Sequence, residues 1–250
     1  MHLLRAACLL APALAAFAAQ TINHGIHAVP PPGPVAIDGG LTDWDLSGSV
    51  LMCYDVESLR DTYSARVAMM HDADSLYLAI RWKDPVPLGN SHDPRFQAAK
   101  GWAGDCVQLR VLTDRITHLT AWYFKNQQEP FINLEYGRSL TEPFGGGSLD
   151  LFQSGGWKLD RGAEMAFKAD ADGRGYVQEI KLPWTLITHG GREALKGRFA
   201  CGFELLWGEA DWPVHRYADN LAEGQTSREF FWTAREAWGP VFLEPSGGLN

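Results

Sequence analysis

The residues best placed to do chemistry in this chain are tryptophans set beside glycines and carboxylates. Trp102 lies in Gly101-Trp102-Ala103-Gly104-Asp105, Trp207 and Trp212 bracket Trp207-Gly208-Glu209-Ala210-Asp211-Trp212, and Trp238 precedes Gly239. An indole is large and usually mostly buried, and its N–H needs a partner. Glycine next to it lets a flat apolar face stand clear, and neighbouring Asp, Glu, Asn and Arg offer hydrogen bonds to hydroxyls. A ring face plus polar groups is the chemistry of saccharide binding. The candidate set is Trp102 with Asp105 and Arg110, and Trp207, Glu209, Asp211 and Trp212 with Arg216 and Asn220. The competing assignment for any one ring is sealing the edge of a core.

Enzymatic chemistry finds less support. Gly-x-Ser-x-Gly, His-Glu-x-x-His and a phosphate loop are all absent from the sequence. Glu204, Glu209 and Asp211 are carboxylates of the kind a glycosidase pairs at a separation of about 5–10 Å. No surrounding motif supports that use, and a non-catalytic protein is expected.

The elements that must position these residues are strands. Tyr63 to His71 alternates, Asp72-Ala73-Asp74 turns, and Ser75 to Trp82 places Leu76, Leu78, Ile80 and Trp82 on one face. Asp105 to Leu112 points Val107, Leu109 and Val111 inward and Gln108 and Arg110 outward, and pairs with Ile116 to Phe124. Glu164 to Ala169 and Gly175 to Leu182 form another hairpin, which Pro183-Trp184 ends. Phe199 to Trp207 is a long one-faced strand; Arg228 to Thr233 and Val241 to Leu243 close the chain. Asp84 to Gly104 and Asn133 to Gly156 read as irregular loops, and Arg192 to Lys196 as a short helix. The fold class expected is all-β, an antiparallel two-sheet β-sandwich of jelly-roll or immunoglobulin-like kind.

Residues 1–19 carry the features of a secretory signal: Arg5, the apolar run Ala6 to Ala16, and small residues for cleavage near Ala18-Ala19. The run is too short to span a bilayer well, so a secreted or periplasmic protein without a transmembrane segment is expected. Residues 20–34 read as a Pro-rich lead-in, leaving 35–250 as a single domain. A net charge of −8 without a basic stripe argues against nucleic acid as a partner. Cys53, Cys106 and Cys201 permit one disulfide at most, and buried thiols are the simpler assignment.

Four segments in order resemble the family-nine carbohydrate-binding modules and the related DOMON sandwiches. They are Ile37-Asp38-Gly39 with Asp43-Trp44, Met70-His71-Asp72-Ala73-Asp74-Ser75-Leu76-Tyr77, Trp102-Ala103-Gly104-Asp105-Cys106-Val107-Gln108, and Tyr176-Val177-Gln178-Glu179-Ile180-Lys181-Leu182-Pro183-Trp184. The resemblance implies a sandwich that clamps a terminal sugar of a polysaccharide between Trp102 and a later aromatic, Trp207 or Trp212. Gln108 stands where that family usually has Glu. The same resemblance implies two cofactor possibilities. One is a structural calcium, for which Asp84, Asn90 and Asp93 are the best-placed oxygens, since Lys168 spoils the Asp170/Asp172 turn. The other is b-type haem in an electron-transfer module, with Met69, Met70, His118 and His215 as axial candidates. An aromatic surface that meets another protein is a third reading.

Overall fold

The computed structural model describes residues 19–137, 148–152, 160–209, 212–225 and 235–249. The strands are β1 (Ile26–Val29), β2 (Val50–Cys53), β3 (Ser64–His71), β4 (Ser75–Lys83), β5 (Cys106–Leu112), β6 (Ile116–Phe124), β7 (Glu129–Gly137), β8 (Ser148–Phe152), β9 (Glu164–Ala169), β10 (Gly175–Pro183), β11 (Arg198–Glu209), β12 (Trp212–Ala218) and β13 (Gly239–Leu243). They form one hydrogen-bonded path, β8-β7-β6-β5-β11-β13-β1-β3-β4-β10-β9, with β12 beside β11 and β2 beside β3. The path folds over so that two layers share a core. Val107, Leu109, Leu119, Ile132, Phe203 and Leu205 from one layer meet Val67, Met69, Leu78, Ile80, Tyr176 and Ile180 from the other. The all-β sandwich expected from alternation is the fold observed.

The expected hairpins are present. β3 pairs β4 from Ser64↔Lys83 to His71↔Leu76, and β10 pairs β4 along its whole length. Asp72 closes the β3–β4 turn by accepting from the N–H groups of Asp74 and Ser75, each at 2.8 Å, and from Tyr77 Oη at 2.7 Å. Arg192–Leu195 is a 3₁₀ turn, as its short polar sequence allows.

Two regions depart from the sequence reading. Residues 20–34 are more than a lead-in: β1 is a central strand, parallel to both β13 and β3, and it joins the two halves of the sheet. Its Ile26, Ala28 and Val29 are buried; the prolines begin only after it, where pairing ends. The region from Asn133 is likewise no simple loop, because β7 continues to Gly137 and β8 occupies Ser148–Phe152. Pro130 near the start of β7 disguised that strand, yet proline is tolerated at a strand's beginning. Arg228 to Thr233 lies outside the described residues.

The segment from Val35 to Trp44 packs on the outer face of β3, β4 and β10. Glu179 on β10 holds it by accepting from Asp38 N–H at 3.0 Å, from Gly39 N–H, and from Trp44 Nε1–H at 2.6 Å. Val29, Met70, Tyr77 and Ala79 are buried beneath. Trp44, Trp82 and Trp184 are all core-sealing rings. Among the described residues no helix is long and apolar enough to cross a membrane, and Cys53, Cys106 and Cys201 are free and buried.

Candidate functional site

The outer face of the layer β7-β6-β5-β11-β12 carries three rows of side chains that run across the strands. Alternation aims one set inward, so the residues between must share the other face. The first row is apolar: Phe131 on β7 is opposite Trp122 on β6, and Leu206 on β11 is opposite Cys106 on β5. Trp102 packs on this cluster from a 3₁₀ turn, Ala98–Ala103, and remains partly exposed. The Trp122 and Phe131 rings are 4.5 Å apart at their centroids.

The next two rows are polar and buried. Asn133, Thr120, Gln108 and Glu204 are successive register partners across β7, β6, β5 and β11. Three strand spacings make this row about 14 Å long. Glu135, His118 and Arg110 follow one step further along the same strands. Gln108, Arg110, His118, Thr120, Asn133 and Glu204 are each almost fully removed from solvent.

Their bonds link the rows. Gln108 Nε2–H donates to Thr120 Oγ1 at 3.2 Å, and Thr120 Oγ1 lies 3.4 Å from His118 Nε2. His118 Nδ1 is 3.6 Å from Glu135 Oε2. Glu204 receives Arg216 as a fork, Nη2 to Oε2 at 2.8 Å and Nε to Oε1. Arg216 keeps 45% of its side chain exposed while Glu204 keeps 4%, so the pair carries the buried row out to solvent. Gln108 Oε1 has no hydrogen-bond partner among the described residues. A buried carbonyl left that way is costly unless something else supplies a donor.

Burial sets the titration of this face. It pulls His118 down to about 4, against the pull of Glu135, and Arg110 adds to the depression. It lowers Arg110 to about 10, so the guanidinium is still charged at neutral pH. Glu204 is raised by burial, although Arg216 opposes the rise. At neutral pH the described groups therefore present two guanidinium cations, two carboxyl groups and an uncharged imidazole.

Several expected ligand contacts belong to the scaffold instead. Trp207 is 1% exposed, its indole N–H donates to Lys83 O at 2.9 Å, and its ring meets Trp82 edge-on at 5.1 Å. It cannot be the second face of a clamp. Asp105 is buried, with Oδ2 accepting from Gly89 N–H and Oδ1 from Gly208 N–H, both at 2.7 Å. A Cβ on Gly208 would come within 2.5 Å of Gly104 Cα. The glycines thus permit backbone to approach backbone here, rather than freeing an aromatic face. Asn220 donates to Cys201 O at 2.8 Å and Gly239 O at 3.3 Å, so it too is a core link. Trp212 and Glu209 are register partners at the β11–β12 turn. Asp211 lies outside the described residues.

The proposed calcium donors do not form a set. Asp84 Oδ1 accepts from Val86 N–H, and Asn90 spends its amide N–H groups on Gly101 O and Asp105 O. Asp93 is neutralised by Arg95, with Nη2 to Oδ2 at 2.5 Å. Among the described residues no cluster of three or more His, Cys, Asp or Glu could hold a metal ion. The haem candidates are dispersed as well. Met69 points into the core, Met70 lies under the Val35 to Trp44 segment with Sδ 3.3 Å from Asp45 N, and His118 sits on the opposite layer. His215 is on β12, opposite Trp207.

Sequence reasoning placed Gln108 outward and noted it as a departure from pattern, and missed Thr120, Asn133 and Glu135 as its neighbours. The signal was available: polar residues occupy alternate outward positions in three consecutive strands. Such positions ordinarily face water, and nothing in one strand shows that its outer face is buried.

No protein-family model and no curated protein sequence matches the chain. Among solved structures, it is similar to a family 9 carbohydrate-binding module from Caldicellulosiruptor kristjanssonii in complex with glucose. The TM-score is 0.53 at 14% identity, over 90% of this chain and 98% of that one. A candidate carbohydrate-binding protein from Bacteroides uniformis aligns with a TM-score of 0.49 at 12% identity, over 88% of this chain and 99% of that one. The fold of this chain is that of a family 9 carbohydrate-binding module.

Proposed function

We propose that this protein is an exported, non-catalytic module that binds a saccharide, a chain end of a polysaccharide, on the outer face of β5, β6, β7 and β11. The observation that carries the reading is the buried polar row beside the Trp102 cluster, carried to solvent by Arg216, with Gln108 Oε1 lacking a donor among the described residues. A hydroxyl supplies that donor, and Trp102 supplies a ring face at the edge of the same surface. Arg110 and Arg216 set against Glu135 and Glu204 suit an uncharged ligand rich in hydroxyls. The structural neighbour that holds glucose supports this assignment. Trp212, at the β11–β12 turn, is the remaining candidate for a second ring.

The test is isothermal titration calorimetry against a panel of mono- and oligosaccharides with the wild type and Trp102→Ala. Binding of a neutral saccharide that Trp102→Ala weakens at least tenfold supports the proposal. No saturable binding across the panel, or equal affinity in both proteins, overturns it.

A further inference from the structure

The opposite layer carries a second concave feature. Beyond the edge of the Val35 to Trp44 segment, the outer face of β3 and β4 is open as a groove of about 260 Å³ lined by Leu41, Leu46, Ser49, Arg66, Ala68, Ala79 and Arg81. A neighbouring groove of about 400 Å³ shares Leu41 and Arg81 and adds Lys168, Asp170 and Val177.

Register explains the composition of the smaller groove. Ala68 is the cross-strand partner of Ala79, and Arg66 is the partner of Arg81. The alanines form a low apolar floor, with Leu41 and Leu46 as apolar walls. The arginines place two like charges directly opposite each other, an arrangement that is unfavourable without a counterion. Arg81 has one, Asp170 Oδ1 at 3.0 Å from Nη2. Arg66 is exposed and has no ion-pair partner among the described residues. Arg66 and Arg81 are thus the charged side chains that line the smaller groove, next to its aliphatic floor, while Asp170, the counterion of Arg81, lines the neighbouring groove together with Lys168.

We propose that this groove is a binding site for a small aliphatic monocarboxylate. Its carboxylate bridges Arg66 and Arg81, and its carbon chain lies on Ala68 and Ala79 between Leu41 and Leu46. A planar carboxylate matches the guanidinium fork, and its negative charge offsets the repulsion between the two facing arginines. The site is on the other layer from the saccharide face, so neither reading depends on the other.

The experiment titrates hexanoate, hexanamide and inorganic phosphate into the full chain, followed by NMR chemical shifts and by calorimetry. Saturable binding of hexanoate is expected, with hexanamide at least tenfold weaker. Arg66→Ala is expected to weaken hexanoate at least fivefold while leaving the melting temperature unchanged or raised, since it removes a repulsion. Leu46→Trp, at an exposed rim position, is expected to fill the groove and weaken hexanoate similarly. Absence of saturable binding overturns the proposal, as does equal affinity for acid and amide or an unaffected Arg66→Ala. Displacement of hexanoate by equimolar phosphate also overturns it, because the site would then read any oxyanion.

Discussion

Gln108 donates to Thr120 at 3.2 Å across the β5–β6 ladder, and its own carbonyl oxygen is buried without a donor among the described residues. The side chain is thus anchored at one end and unsatisfied at the other, and on the saccharide reading proposed above a ligand hydroxyl supplies the missing donor. Gln108→Ala removes the awaiting acceptor. We expect saccharide affinity to fall about tenfold, with little loss of stability. Calorimetry on the best ligand, paired with thermal unfolding, separates the two effects.

Gln108→Glu tests why glutamine stands here. Glu204 is its register partner and is already raised by burial. A second carboxyl beside it must also hold its proton above the ordinary range. A raised folded value contributes stability at low pH and loses it as pH rises. The variant should therefore unfold at lower temperature than wild type at pH 7, with the gap closing below about pH 4. A constant gap across that range would sink the explanation.

Trp102 and Trp207 should respond differently to truncation. Trp207→Ala removes a buried ring that packs edge-on against Trp82, itself stacked on Tyr176, and should cost about 3–5 kcal/mol of stability. Trp102→Ala strips a partly exposed ring and should act mainly on binding. Chemical denaturation of both variants checks the contrast.

Asp105 meets a second buried acid. Burial, then the charge of Asp84 and its hydrogen bond, push the Asp105 carboxyl well above its ordinary value. The pair shares a proton while Asp105 also accepts from Gly89 and Gly208. Because the folded value is raised, this stabilisation is complete below about pH 4 and is lost as pH rises through the folded value. Asp84→Asn supplies a permanent donor to Asp105 and keeps an acceptor for Val86 N–H. We expect it to raise stability at pH 7 by about 1–2 kcal/mol and to flatten that slope. Asp105→Ala strands two backbone N–H groups and should cost about 2–4 kcal/mol. Melting curves from pH 4 to 8 give both answers.

His118 acts in the other direction. Its imidazole is held neutral, with a value near 4. A depressed folded value contributes stability that is present above the unfolded value of about 6.5 and is lost as pH falls toward 4. The loss is on the order of 3 kcal/mol across that window. His118→Gln, which cannot take up the proton, should remove this acid-side slope. An unchanged slope between pH 6.5 and 4 would show that other groups set it.

The alternating runs of β3 to β6 and of β9 to β11 were legible in the sequence because a two-residue period assigns each side chain to a face wherever the chain lies. The β3–β4 turn was equally legible, since Asp72 bonds to Asp74, Ser75 and Tyr77 within six residues. Local chemistry of this kind needs no distant partner.

What the sequence could not show was which faces are covered and which strands meet. β1 has too few residues to announce itself, and its place between β13 and β3 depends on strands more than 35 residues away. Gln108, Thr120, Asn133 and Glu204 look like ordinary outward polar residues one strand at a time. Register alone aligns them, and burial alone makes the unpartnered carbonyl of Gln108 costly. Tertiary packing also took Trp207 and Asp105 from the expected ligand set, by placing one ring in the core and spending one carboxylate on Gly89 and Gly208. Amino-acid order determined the sandwich and its two-faced strands; only the pairing of distant strands decided that Gln108, Thr120, Asn133 and Glu204 share one buried row next to the Trp102 cluster.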